Sequence, residues 1–182
     1  MVGEVVRRRA RDAASPRRQV AFEQAVVGWR YWGVALQDGA WRLRSPFRDT
    51  PWPVDSPLVA ECHSASRSIG RPSRPHDPPG EGCRCGVYGG TYRALRGFLS
   101  TTFVPPADSA VIGRALLWGD VVEEESSWRA SYGYPDRLLV PTLVRNAYKI
   151  AEDLEAYHVP VLVLDLADTF ATLNPSSYLR GT

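Results

Sequence analysis

The chain has 182 residues, is 44% hydrophobic and 23% charged, and carries a formal net charge of +2. That composition is too apolar for a disordered polypeptide, and the length is enough to bury a core without disulfide staples. No apolar run reaches the roughly 18–20 residues of a membrane span, and the first twenty residues lack the apolar stretch of a secretory signal, so a soluble cytoplasmic protein is expected.

Charge is unevenly spread at the start of the chain. Arg7, Arg8, Arg9, Arg11, Arg17 and Arg18 stand against Glu4 and Asp12, about +4 over residues 1–19. With little apolar periodicity to dock it, this segment reads as a basic flexible arm, residues 1–19, and residues 20–182 as a single globular domain.

From Val20 the apolar residues alternate, and Asp38-Gly39 separates two such stretches. This predicts a hairpin with strands over Trp29–Leu36 and Ala40–Arg44. Pro46, Pro51, Pro53 and Pro57 prevent regular ladder bonding beyond it, so the next segment should cross the sheet surface, pinned by Trp52.

Residues 63–82 are rich in proline and glycine, with Ile69 almost the only apolar side chain. An ordered loop of this length needs an anchor. Beyond it, Thr91–Leu99 predicts a short helix. Ala110–Val122 reads as a central strand with bends at Gly113 and Gly119, Glu123–Ser127 as a polar turn, and Trp128–Tyr134 as the second arm of a hairpin. Apolar residues at helical spacing from Val144 to Leu154 predict an amphipathic helix stopped by Pro160, followed by a strand over Val161–Leu166. The expected class is α+β: a curved, mainly antiparallel sheet with a zinc-anchored long loop and a C-terminal packing helix.

The loop supplies its own candidate anchor in the pattern Cys62-x13-His76-x6-Cys83-x-Cys85. Three thiolates and an imidazole suit the four corners of a tetrahedral zinc ion, and such a closed shell leaves no position for water or substrate. The expected cofactor is therefore structural zinc at Cys62, His76, Cys83 and Cys85. His63, beside Cys62, is the alternative imidazole, and buried free cysteines are the alternative without metal. Three cysteines fit a reducing compartment better than a disulfide framework.

The segments Cys62…His76-Asp-Pro-Pro-Gly-Glu-Gly-Cys-Arg-Cys-Gly-Val-Tyr88, Val111-Ile-Gly-Arg-Ala-Leu-Leu-Trp-Gly-Asp-Val-Val122 and Trp128-Arg-Ala-Ser-Tyr-Gly-Tyr-Pro135 resemble a group of uncharacterised proteins from high-GC Gram-positive bacteria and their phages. That group has a Cys-x-Cys-Gly-Ile-Tyr segment and a Leu-Trp-Gly-x-Val-Val strand; here Val87 replaces the isoleucine and Gly89 an alanine. The resemblance covers about residues 28–164 and implies the fold boundaries and the metal site, but no activity.

Three functional readings follow. In the first, a zinc-stabilised binding or regulatory protein meets nucleic acid or a protein partner through Arg7, Arg8 and Arg9 of the arm and Arg67, Arg71, Arg74 and Arg84 of the loop, because guanidinium forks match phosphates. Trp29, Trp118 and Trp128 lie in strand patterns that favour packing. In the second, the order His63, Tyr88, Glu125 resembles one class of ADP-ribosyl transferases, implying a nucleotide-using transferase. In the third, Phe170, Leu173, Tyr178 and Leu179 form an apolar face for a larger assembly. Neither a Walker nor a dinucleotide-binding glycine pattern is present, so no small-molecule cofactor is evident.

Overall fold

A computed structural model describes residues 17–62, 76–80, 82–101 and 110–165. The expected arm up to residue 16, Arg67, Arg71, Arg74, His63 and the apolar C-terminal residues Phe170, Leu173, Tyr178 and Leu179 lie outside the described residues.

Among the described residues eight strands form one sheet: β1 (Arg17–Val20), β2 (Val26–Gln37), β3 (Ala40–Arg44), β4 (Leu58–Val59), β5 (Val87–Gly90), β6 (Ala110–Glu123), β7 (Ser127–Pro141) and β8 (Val161–Leu164). Helix α1 (Tyr92–Thr101) follows β5, and α2 (Ala147–Leu154) precedes β8. All pairings are antiparallel except β7 with β8. None of the described helices is long and apolar enough to cross a membrane.

The long hairpin β6–β7 is the spine. One edge of β6 carries β2 and then β1, and the free edge of β7 carries β5, β4 and β8 in turn. Because β5 also bonds to β2 at Trp29↔Gly90, the ladders β2–β6–β7–β5 return on themselves, which curves the sheet. The seam depends on glycine. A Cβ on Gly28 would lie 2.8 Å from Gly89 Cα, so two backbones approach where no side chain fits.

The expected β2–β3 hairpin is present, with β2 starting at Val26, and Asp38 and Gly39 both take positive φ (51° and 80°) as the tight turn requires. The bend expected at Gly119 is a bulge: the β6–β7 register shifts between Trp118 and Val121, and Gly119 has φ +79°.

Some boundaries differ from the sequence reading. Arg17, Arg18 and Gln19, assigned above to the arm, belong to β1, because pairing with β6 outweighs their polarity. Glu123 closes β6 instead of opening the turn. Helix α2 begins three residues later than its apolar spacing suggested, since Asn146 takes a left-handed conformation (φ 60°) that ends the preceding turn. Val144 still enters the core.

The main core lies between the sheet and α2, where Trp32, Leu43, Trp52, Leu138, Val140, Ile150, Leu154 and Tyr157 are fully buried or nearly so. Ile150 and Leu154 each contribute about 1.5–3 kcal/mol by leaving water. The Tyr157 hydroxyl accepts from Leu43 N–H (3.1 Å) and donates to Trp52 O (2.8 Å), fixing both β3 and the proline-rich crossing. On the opposite face Tyr31, Ile112 and Leu139 pack against Leu95 of α1. With both faces covered, β6 reads as a nearly continuous apolar run.

Candidate metal centre

The proline-rich loop meets the sheet at the start of β5. Cys62 follows β4, His76 and Gly80 lie on the returning loop, and Cys83 and Cys85 lead into Val87. Their four ligand atoms all lie within 4.8 Å of one another.

Two edges of this cluster are informative. Cys62 Sγ and Cys83 Sγ are 3.7 Å apart, and His76 Nε2 is 3.2 Å from Cys85 Sγ. Four ligands around one zinc at about 2.3 Å from sulfur give a sulfur–sulfur edge of about 3.8 Å and a slightly shorter nitrogen–sulfur edge. The sulfur pair is far too long for a disulfide, and none of the three cysteines is disulfide-bonded. The donor set and its size thus fit a single tetrahedral ion, and these four residues form a group that can hold a metal.

Local structure prepares this geometry. Gly80 N–H donates to Cys85 Sγ (3.2 Å), and Cys83 N–H donates to Gly80 O (3.2 Å), folding a tight turn beneath the sulfurs. A Cβ at Gly80 would collide with the His76 imidazole, so only glycine lets the ring reach the cluster. Burial pushes the Cys85 thiol up to about 11, the neighbouring Cys83 and Cys62 push the same way, and the Gly80 N–H opposes them. Crowded, buried thiols resist ionisation until a cation compensates them, which couples metal uptake to proton release.

The loop is tied to β7 by polar side chains. Arg129 is only 7% exposed; its Nη1 donates to Cys83 O (2.7 Å) and Cys85 O (3.0 Å), while Nε pairs with Glu124 (2.7 Å). Ser131 Oγ donates to Pro78 O (2.7 Å) and accepts from Asp120 N–H (3.2 Å), connecting the loop to the Gly119 bulge. The Asp120 carboxylate in turn accepts from Arg17 and Gln19 of β1.

Of the loop arginines proposed to meet a polyanion, only Arg84 is described; it is exposed beside the cluster. Tyr88 is partly exposed on β5 and donates to Arg84 O (2.8 Å), while Glu125 lies exposed in the β6–β7 turn. Burial raises the Tyr88 phenol above its ordinary value. The sequence singles out Arg129 only as a polar residue, whereas its place in the structure depends on facing the Cys-x-Cys backbone across the β5–β7 ladder. Its only sequence signal is a charge within a strand of large aromatic residues.

Among the described residues, fold and site together define a mostly antiparallel β protein with two short helices and a Cys3His group that could hold a metal ion. Comparison with family models, with curated proteins and with solved structures gives no match to this chain.

Proposed function

We propose that the protein is a zinc-stabilised binding module of a reducing, cytoplasmic compartment and that its partner is nucleic acid. The carrying observation is the compact cluster of Cys62, His76, Cys83 and Cys85. Three thiolates and one imidazole favour zinc among the divalent metals, and with four protein ligands the ion keeps no open position for a substrate. Its work is to clamp the proline-rich excursion onto β7, next to Arg84. Partner choice rests on charge: residues 1–19 carry about +4, and the last two of their arginines, Arg17 and Arg18, lie in β1.

Elemental analysis of the purified chain tests the first half, with one equivalent of zinc expected and its removal lowering the melting temperature. A salt series of binding to random single and double strands tests the second. Affinity should fall steeply with salt and more gently without residues 1–16; no binding at low salt removes the nucleic-acid reading.

A further inference from the structure

The three sulfurs of the cluster are not equally placed. Cys62 and Cys83 are half-buried, whereas Cys85 is only 7% exposed. Cys85 Sγ lies 3.2 Å from His76 Nε2 and accepts from Gly80 N–H, so the ring and the turn enclose it. The two more accessible sulfurs, of Cys62 and Cys83, face each other at 3.7 Å. Oxidants attack sulfurs that are reachable and carry thiolate character, and metal coordination keeps a thiol deprotonated. Cys62 and Cys83 meet both conditions when the cluster is loaded.

The backbone favours a bridge between these two. Cys83 is held on both sides: its N–H donates to Gly80 O (3.2 Å) and its carbonyl accepts from Arg129 Nη1 (2.7 Å). Cys62 stands two residues beyond Ala60, whose N–H donates to Ser131 O (2.8 Å), and follows the two-residue strand β4. Closing 3.7 Å to a disulfide takes a shift of about 1.7 Å, which a short edge strand at Cys62 accommodates while Cys83 stays in place. Cys83 also neighbours Cys85, but a bridge there would close across Arg84 alone. So tight a ring demands a backbone twist, and Arg129 pins both carbonyls, Cys83 O and Cys85 O.

We propose that Cys62 and Cys83 are a peroxide-oxidisable pair whose disulfide opens the cluster and expels its ion. One sulfur attacks a peroxide oxygen, the O–O bond breaks, and a sulfenic acid forms as hydroxide leaves. The second sulfur attacks that sulfenic sulfur, forming the S–S bond and releasing the other oxygen. Two thiolates, one peroxide and two protons from solvent thus give one disulfide and two waters. Zinc keeps its charge and departs because only Cys85 and His76 remain to hold it. The bridge still joins the two ends of residues 63–82, so a thiol reductant and fresh zinc restore the cluster. This rests on the zinc reading above and adds an oxidant-controlled state of the same site.

The test treats the full, zinc-loaded chain with hydrogen peroxide. A chromogenic chelator counts released zinc, and mass mapping after alkylation of the remaining thiols identifies the bridge. One zinc should leave per disulfide formed, with Cys62 joined to Cys83 and Cys85 alkylated, and dithiothreitol with zinc should reverse both changes. Cys62→Ser should form no bridge, and dimedone should trap its Cys83 as the sulfenic acid. A melt checks that this variant folds, and the wild-type map stands without it. Zinc retained under excess peroxide, a bridge to Cys85, or sulfinic and sulfonic acids without a bridge overturns the proposal and leaves the zinc reading standing. A purified chain that holds no zinc yet forms the Cys62–Cys83 bridge removes the zinc reading and the expulsion, and supports the oxidisable pair alone.

Discussion

Replacing Arg129 with methionine keeps the length and most of the apolar stem but removes the guanidinium that ties the Cys-x-Cys backbone to β7. Two carbonyls, Cys83 O and Cys85 O, lose a charged donor at 2.7 and 3.0 Å. A hydrogen bond to a charged group contributes about 1.5–3 kcal/mol, and leaving a buried acceptor unmet costs a similar amount. Both bonds come from the same nitrogen, so they do not add fully, and the lower end of the sum, about 3 kcal/mol, is the expected loss. The ion pair with Glu124 adds little, because that carboxylate is 38% exposed. For a chain of this size, about 3 kcal/mol corresponds to a fall of roughly 6–12 °C in melting temperature. Calorimetry of the metal-loaded protein measures it, and Arg129→Lys, which keeps the charge but not the fork, should recover only part. A melt within about 1 °C of wild type would refute the claim that this side chain holds the loop.

Gly80→Ala should lower metal affinity by about 10–100-fold, as loss of a metal-site support does, because the new methyl group displaces the His76 ring; chelator competition reads the change, and unchanged affinity removes His76 from the ligand set. Tyr157→Phe leaves Leu43 N–H and Trp52 O without their partner and should cost about 1–3 kcal/mol in a denaturant titration. In the wild type, burial holds the Tyr157 phenol at about 12 against an ordinary 10.0, so the neutral form is the one the fold favours. Its contribution is complete below about pH 10 and disappears as pH rises toward 12, so the alkaline limb of the stability curve should be shallower in Tyr157→Phe.

The parts of the fold readable in the sequence are those where one residue's chemistry decides the local outcome. Asp38-Gly39 announces its turn because both residues accept positive φ, and Gly119 marks its bulge for the same reason. The cysteines and His76 were legible because few roles other than metal binding bring those residue types together in a loop without a core. β1 and β5 were not legible. Arg-Arg-Gln-Val has a single buried residue, and Val-Tyr-Gly-Gly ends in two poor strand formers. Both become strands only because distant neighbours offer bonding edges, Arg17 to Val122 and Val87 to Ala130. The start of α2 was misjudged because Val144 has helical spacing but reaches the core from a turn. The ring contacts of Trp118 with Phe22 and with Tyr132 were invisible for a related reason: they form only when β1 and the β6–β7 hairpin come together.

The way the ladder β2–β6–β7–β5 bends back on itself leaves the rim to β1, β3, β4 and β8, strands of four, five, two and four residues. Rims so short offer a neighbouring chain too few free amides and carbonyls to template a growing stack, and β1 places arginines at the border. Among the described residues, a fold built largely of β-structure thereby limits edge-to-edge stacking into fibrils.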